Sequence, residues 1–499
     1  IPDKHVRKEI TWGQFDQRAN AVANALIEKG IKKGDKVLHL MTNSINWLLA
    51  YLGVLRTGAW VVPLNYRFTG KDIKYCADVS EASLLIFGEE FVDRVEDIRL
   101  ELPLVKNYIF AGKESPDYAE EFESILDRAS LKLPEVAIRN EDECGLYFTS
   151  GTTGVPKPIL LTHNNLESAA ITNCVNESKG HKDNFVFLSP LYHTGSIIRW
   201  FGNLTVGGRA TILIGTSPKY IFETMSEEKG TTLMLMVPWA QDILMALDRG
   251  ELKVEDYDLS HWRLMTLGAQ PVPASLVKRW RQYFPSMDYD TGYGLTEASG
   301  TGCIHLGVEN YRKAGAIGKP GFNWEARIVD TDDNDVSPGE VGELVVRGNG
   351  VMKAYYNNPD ETAVALKGGW LHTGDLAKVD DEGFIYLVDR KKDVIITGGE
   401  NIFPVEVENV LSSHPKIYDV ALIGLPDERL GEIAAAIIDA KEGETLTESE
   451  IHQFCEKNLP RYKRPRRIIF DRVLRGPTGK IEKPKLRERY GGMEGVFKV

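Results

Sequence analysis

The segment YFTSGTTGVPKP, residues 147–158, is the stretch from which the fold of this chain can be inferred. It holds seven candidate phosphate-binding residues: Thr149, Ser150, Gly151, Thr152, Thr153, Gly154 and Lys157. A loop of small and hydroxyl-bearing residues can turn successive backbone N–H groups toward one point, which is how proteins hold phosphate oxygens. A flexible surface turn would have a similar composition, so the loop needs support from the rest of the chain.

Two common phosphate-binding motifs are excluded. A Walker A loop requires Gly, four residues and then Gly-Lys-Ser/Thr, but Pro156 stands where the second glycine would be. The dinucleotide pattern G-x-G-x-x-G does not occur anywhere in the sequence. The segment therefore predicts a nucleotide site of a different kind.

The composition is that of a multidomain globular protein. A chain of 499 residues, 42% hydrophobic and 26% charged, is too long for one ordinary core. No apolar run approaches the roughly 20 residues of a membrane-spanning helix, so no such segment is expected. The cysteines are scattered and no C-x-x-C pair occurs, which predicts free thiols in a reducing compartment and hence a cytoplasmic protein.

The charge distribution bears on possible partners. A net charge of −12 argues against nucleic-acid binding. Residues 461–489 nevertheless hold twelve basic and three acidic residues. This run is either a solvated basic face or a local attractor for polyanionic small molecules.

Alternating strand and helix patterns predict an α/β fold with mostly parallel sheets. Thr11 can cap a helix that continues to about Glu28, and apolar spacing predicts another helix over Asn46–Arg56. Candidate strands cover residues 36–41, 60–64, 83–87, 210–214, 232–237 and 263–267. After about residue 320 short strands and turns dominate. A boundary near Asp389–Asp393 predicts domains over residues 1–391 and 392–499, the second a small α+β unit.

Six further segments occur in a fixed order along the chain. They are PLYHTGSI (190–197), GAQP (268–271), DTGYGLTEAS (290–299), LHTGDLA (371–377), LVDRKKDVIITGGENIFPVEVE (387–408) and RGPTGKIEK (475–483). Together with residues 147–158 they resemble the motifs of the adenylate-forming superfamily, which includes acyl-CoA synthetases. The resemblance implies a large N-terminal domain of layered sheets and helices, followed by a small mobile α+β domain.

The resemblance also implies roles at the nucleotide. Tyr293 would stack on adenine, with Gly294 beside it, and Thr296 would bind the α-phosphate. Glu297 would bind Mg²⁺, and the ribose would be held by Asp375 and Arg390. The segment Gly268, Ala269 and Gln270 would lie near adenine, although Ala269 and Gln270 depart from the glycine and alanine of the related motif.

Other implied roles concern the acid and the thiol. His193 would border the acyl site, and Lys480 would act in the adenylation step. Gly398 and Gly399 would line the path of the pantetheine arm of coenzyme A, where backbone without Cβ suits a narrow tunnel. Lys392 would be the hinge between the domains.

The size of the acid is inferred from bulky side chains near the implied pocket. Trp200, Trp239 and Leu295 are candidate lining residues, and two tryptophans favour small, medium-chain or ring-bearing acids. Arg199 could pair with a second carboxylate, but a surface or inter-helix role is favoured.

The sequence thus predicts an AMP-forming acyl-CoA synthetase that uses ATP, a small-molecule carboxylic acid, coenzyme A and Mg²⁺. Two alternatives stay open: an adenylate-forming enzyme with another acceptor, and a non-catalytic nucleotide-binding regulatory protein. A monomer and a homodimer are equally compatible with the sequence.

Overall fold

The computed structural model describes residues 6–149, 156–268, 270–476 and 481–491. The α-helices are α1 (Trp12–Glu28), α2 (Ile45–Arg56), α3 (Gly70–Ser80), α4 (Val92–Ile98), α5 (Phe122–Arg128), α6 (His163–Asn176), α7 (Thr194–Val206), α8 (Pro218–Glu227), α9 (Val237–Asp248), α10 (Ala274–Tyr283), α11 (Pro359–Ala365), α12 (Pro404–Leu411), α13 (Glu448–Asn458) and α14 (Lys483–Gly491).

The strands are β1 (Lys36–Leu40), β2 (Trp60–Pro63), β3 (Leu84–Gly88), β4 (Asn107–Ala111), β5 (Glu120–Glu121), β6 (Glu143–Thr149), β7 (Lys157–Thr162), β8 (Asn184–Phe187), β9 (Arg209–Ile212), β10 (Thr232–Met236), β11 (Leu264–Gly268), β12 (Asp288–Leu295), β13 (Gly300–His305), β14 (Lys319–Pro320), β15 (Trp324–Val329), β16 (Gly342–Gly348), β17 (Ala354–Tyr355), β18 (Leu371–Val379), β19 (Ile385–Arg390), β20 (Ile395–Thr397), β21 (Glu400–Ile402), β22 (Ile417–Asp427), β23 (Gly431–Ala440) and β24 (Arg467–Phe470).

The helix starts follow local capping chemistry. The Thr11 hydroxyl accepts a hydrogen bond from the Gln14 amide, and the Gln14 side chain accepts one from the Thr11 amide, which forms a capping box before α1. The Ser44 hydroxyl accepts from the Trp47 amide and begins α2. The predicted helix up to Glu28 is confirmed, and the second helix begins one residue earlier than predicted.

Two mostly parallel sheets build the large domain, as the alternating pattern predicted. The first has the order β17-β7-β6-β2-β1-β3-β4-β5, and the second has the order β14-β13-β12-β11-β10-β8-β9. In both sheets the antiparallel pairs lie toward one edge, where β6 joins β7 and β12 joins β13. Helices α1 and α2 cover the first sheet through a buried core around Trp47.

The C-terminal half contains two further sheets. An antiparallel sheet of order β15-β16-β18-β19 ends at Arg390. Beyond residue 394, strands β20 to β24 form a separate sheet with its own apolar clusters around Val407 and Ile437. This is consistent with a small α+β unit starting near residue 392, and the exact position of the hinge stays a prediction.

The edge of the second sheet positions the site. Strands β10, β11 and β12 are parallel and in register, so that Met236 pairs with Gly268 and Gly268 pairs with Gly292. The carboxyl ends of these strands therefore meet at one edge, where open α/β sheets bind ligands. Within the described ranges no helix combines the length and the apolar character that crossing a bilayer requires.

Candidate active site

The predicted phosphate loop is flanked by a hairpin. Thr149 at the end of β6 pairs with Lys157 at the start of β7. Between them Ser150, Gly151, Thr152, Thr153 and Gly154 lie outside the described residues. The two strands thus place both ends of the predicted loop side by side.

Lys157 belongs to a chain of polar contacts that reaches the predicted magnesium ligand. Its ammonium group pairs with Glu361 and lies 5.4 Å from the centre of the Tyr355 ring. The Tyr355 hydroxyl in turn donates a hydrogen bond of 3.0 Å to Oε1 of Glu297. Burial and the Glu297 carboxylate raise the pKa of Tyr355, so its hydroxyl stays protonated as a donor. Sequence reasoning missed Tyr355 and Glu361.

The predicted nucleotide residues Tyr293, Asp375 and Arg390 lie together. The Tyr293 hydroxyl donates a hydrogen bond of 2.6 Å to Oδ2 of Asp375. Arg390 places Nε at 3.3 Å from Oδ1, because Asp375 and Arg390 are partners across β18 and β19. Burial, followed by the charge of Asp375, raises the pKa of Tyr293 well above its ordinary value. Asp375 is therefore held by a hydroxyl donor on one oxygen and a cation beside the other, and it keeps lone pairs for a diol.

Close backbone contact surrounds this cluster. A Cβ on Gly294 would lie 1.8 Å from the carbonyl oxygen of Gly300, so only glycine fits at position 294. Thr296 and Glu297 follow in a short 3₁₀ turn over Thr296–Ala298. Gly268 ends β11 beside Gly292, and Ala269 lies outside the described residues. These strand ends bring the predicted adenine and phosphate contacts to one edge.

The Glu297 carboxylate fits a magnesium ion that is bound mainly through phosphates. Carboxylate oxygens are ligands that Mg²⁺ accepts, and proteins supply one or two of them beside substrate phosphates. The Tyr355 hydroxyl orients Oε1 of Glu297. No cluster of three or more His, Cys, Asp or Glu side chains suited to a metal occurs in the part of the chain that the structure describes. A single carboxylate such as that of Glu297 suits an ion that arrives with the nucleotide.

The residues predicted around the acyl group are less closely grouped. His193 is the N-cap residue of α7, and its ring centre lies 4.2 Å from that of Tyr192. Leu295 is partly buried against the core of the first sheet, whereas Trp239 packs with the helices of the second. Trp239 and Leu295 remain predicted pocket residues.

Trp200 occupies a different position from the one predicted. It is fully buried, and its ring centre lies 5.5 Å from that of Phe15 and 6.3 Å from that of Trp12 on α1. A side chain without exposed surface cannot face an open pocket. The structure thus places Trp200 in the core between α1 and α7, which corrects its assignment as a lining residue.

Arg199 is an inter-helix residue, as favoured from the sequence. Its Nη1 donates a hydrogen bond of 2.6 Å to Thr301 Oγ1 and one of 2.9 Å to the Gly195 carbonyl oxygen. Its Nη2 lies 3.2 Å from Glu177 Oε1. Lys179 pairs with the other Glu177 oxygen at 3.1 Å. Burial opposes ionisation of Glu177, but the two cations outweigh it and keep the pKa of this carboxyl below its ordinary value. The guanidinium is committed to this cluster.

The predicted hinge and thiol-path residues lie at the start of the small domain. Lys392 follows β19, and desolvation and the neighbouring Arg390 lower its pKa. Gly398 and Gly399 form the turn between β20 and β21 with φ of 58° and 87°, which suits glycine. The Gly398 amide donates a hydrogen bond of 2.8 Å to the Leu430 carbonyl oxygen, so this exposed turn is anchored within the small domain. Lys480 lies outside the described residues.

One described contact joins the small domain to the strand edge. Nη1 of Arg475 donates a hydrogen bond of 3.2 Å to Oε1 of Gln270, two residues beyond β11. Nε and Nη2 of the same guanidinium donate to the two oxygens of Asp419, each at 2.7 Å. The small domain therefore faces the predicted nucleotide site in this arrangement.

Comparison with known proteins identifies the family. Residues 3–356 match the AMP-binding enzyme family and residues 406–480 match the AMP-binding enzyme C-terminal domain. The chain therefore belongs to this family of adenylate-forming enzymes. It is an AMP-forming acyl-CoA synthetase with ATP and coenzyme A as co-substrates.

Several relatives match almost the whole chain. A long-chain-fatty-acid–CoA ligase of Mycobacterium tuberculosis is 32% identical over 98% of this chain and 94% of the relative. The 4-coumarate–CoA ligase 1 of Petroselinum crispum is 33% identical over 96% of this chain and 89% of the relative. The crystal structure of the anthranilate CoA ligase AuaEII with anthranoyl-AMP superposes with a TM-score of 0.89 at 28% identity, over 97% and 92% of the two chains.

Proposed function

We propose that this enzyme activates a small, medium-chain or ring-bearing carboxylic acid and transfers the acyl group to coenzyme A in the cytoplasm. The observation that carries the proposal is the convergence of Tyr293, Asp375 and Arg390 at the strand edge, on the segment that continues to Glu297. Relatives named for coumarate, ferulate and indoleacetate support a ring-bearing acid. The five cysteines are all buried free thiols, which supports a reducing compartment.

The first half-reaction joins the acid to AMP. An acid carboxylate oxygen forms a bond to the α-phosphorus of ATP while the bond to the bridging oxygen breaks, which releases pyrophosphate and leaves an acyl-adenylate. Asp375 would accept hydrogen bonds from the ribose hydroxyls, and Thr296 would donate to the α-phosphate. Lys480 would offset charge on the attacking and leaving oxygens. Mg²⁺, held through Glu297, would neutralise phosphate charge.

The second half-reaction forms the thioester. The sulfur of coenzyme A attacks the acyl carbon, the bond from this carbon to the phosphate oxygen breaks, and AMP leaves. Neither step requires a protein nucleophile, because the acid is already anionic and thiols ionise near neutral pH. His193 would border the acyl group, and the turn at Gly398 and Gly399 would reach the site after rotation about Lys392.

Pyrophosphate release from ATP·Mg²⁺ across a panel of acids, with and without coenzyme A, tests the function. The panel spans acetate to palmitate, benzoate and cyclic acids, and dicarboxylates. We expect turnover with ring-bearing or medium-chain acids that rises when coenzyme A is added. Pyrophosphate release at a rate that does not change when coenzyme A is added would indicate another acceptor. ATP binding without pyrophosphate release under any condition would indicate a regulatory protein.

Lys480→Ala tests the division between the two half-reactions. We expect loss of adenylation, with thioester formation from preformed acyl-adenylate largely retained. Loss of both activities in a variant that still binds ATP would contradict the proposed role of Lys480. Gel filtration in the same preparation distinguishes a monomer from a homodimer.

A further inference from the structure

We propose that Gln270 and Arg475 are positioning residues that hold the small domain in place for the adenylation half-reaction, and that this contact must break before thioester formation. The inference rests on the proposed function, since it assumes two half-reactions in two domain arrangements. It concerns a contact between residues that are 205 positions apart in the chain.

The guanidinium of Arg475 is oriented from the small domain. Two of its N–H groups donate to the two carboxylate oxygens of Asp419, each at 2.7 Å, which is the bidentate geometry that fixes an arginine. Both side chains are largely shielded, with 24% and 19% of their surfaces exposed. Nη1 is thereby directed across the domain boundary toward Gln270.

Gln270 supplies the acceptor on the large domain. Its Oε1 lies 3.2 Å from Nη1 of Arg475, while Gly268, two residues earlier, pairs with Gly292 at the carboxyl end of the strands. The related motif has alanine at this position, and alanine offers no side-chain acceptor. The sequence thus departs from the motif at position 270, and this is the position whose side chain contacts the small domain.

The contact favours one half-reaction because of where Arg475 lies in the chain. Arg475 pairs with Ile481 in a short antiparallel bridge that spans the segment containing Lys480. Holding Arg475 against Gln270 therefore holds one end of the stretch that leads to Lys480 beside the strand edge. Rotation about Lys392, which would bring Gly398 and Gly399 to the site, requires Arg475 to leave Gln270.

Separate assays of the two half-reactions test this role. Gln270→Ala, Arg475→Ala and the double variant are compared with Arg472→Ala, which removes an exposed basic residue from the same segment. Acid-dependent ATP–pyrophosphate exchange is measured with benzoate or hexanoate, whichever turns over. Thioester formation is measured from the chemically prepared acyl-adenylate and coenzyme A.

We expect Gln270→Ala to lower the exchange rate about fivefold, in line with the loss of one hydrogen bond. Arg475→Ala should lower it at least as much, because it also leaves Asp419 without its partner. The double variant should be no slower than Arg475→Ala, because that single variant already removes the contact with Gln270. Thioester formation should be unchanged or faster, and Arg472→Ala should behave as wild type. Losses that multiply in the double variant, or an equal fall in both half-reactions, would overturn the proposal.

A label-based measurement separates failure of this proposal from failure of the proposed function. Cysteines introduced at the exposed positions Glu251 and Glu442 carry a fluorescent donor and acceptor, since the native thiols are buried. Without acid, Gln270→Ala and Arg475→Ala should each shift the distance distribution between the domains. An unchanged distribution refutes the contact even in an active enzyme. Absence of acid-dependent turnover in wild type refutes only the function.

Discussion

Replacing Asp375 by asparagine should remove the enzyme's ability to recognise the ribose. Asp375 is 9% exposed; one of its oxygens accepts a hydrogen bond from Tyr293 and the other pairs with the Arg390 guanidinium, so the carboxylate is already oriented before nucleotide binds. Hydrogen bonds to a charged group contribute about 1.5–3 kcal/mol, and asparagine lacks the charge and one acceptor. We expect ATP to bind about 10- to 100-fold more weakly.

The assay compares ATP with 2′,3′-dideoxy-ATP by isothermal titration calorimetry. Wild type should prefer ATP, whereas Asp375→Asn should bind the two nucleotides with nearly equal affinity, because the group that distinguishes them is gone. Asp360→Asn, an exposed aspartate at the start of α11, is the matched control and should keep the preference. If Asp375→Asn retained the full preference for ATP, the assignment of Asp375 to the ribose would be wrong.

Three further changes test packing and titration. Glu177→Gln should destabilise the fold by about 3–5 kcal/mol, since it leaves two buried cations without their anion. Thermal melting measures this loss, with Glu255→Gln, a change at an exposed glutamate, as the control. Gly294→Ala should lower stability by about 1–3 kcal/mol and suppress pyrophosphate exchange, because its Cβ would collide with Gly300. Burial raises the pKa of Asp389 to about 6, so the contribution of this carboxyl to native stability should fall as pH rises from about 4 to 6. Asp389→Asn should therefore gain stability relative to wild type over this range in melting curves, and a constant difference between the two proteins would contradict the reasoning.

Much of the fold follows from local signals in the sequence. The cap at Thr11, the alternation of strands with helices, and the change of texture after residue 320 are confirmed by α1 and by the sheets of the large and small domains. These features depend on periodicity and on neighbouring residues. They could be predicted because the physics that produces them acts within a few positions of the chain.

Contacts between distant positions could not be predicted in the same way. Tyr355 reaches Glu297 across 58 residues, and Lys157 reaches Glu361 across 204. Neither partner is marked by spacing or composition. The misassigned Trp200 shows a related limit, since a bulky residue on a helix near a pocket faces either the pocket or the core, and only packing against α1 decides between them.

The short β18–β19 ladder has a consequence for the position of the bound nucleotide during the two successive half-reactions. Asp375 and Arg390 pair across this ladder, and Lys392, the proposed hinge, follows Arg390 by two residues. A group bound next to a rotation axis moves little when the distant parts of a domain swing through a wide arc. The ribose would thus stay almost still while Lys480 leaves and coenzyme A enters, so that the reactive acyl-adenylate is never handed from one site to another.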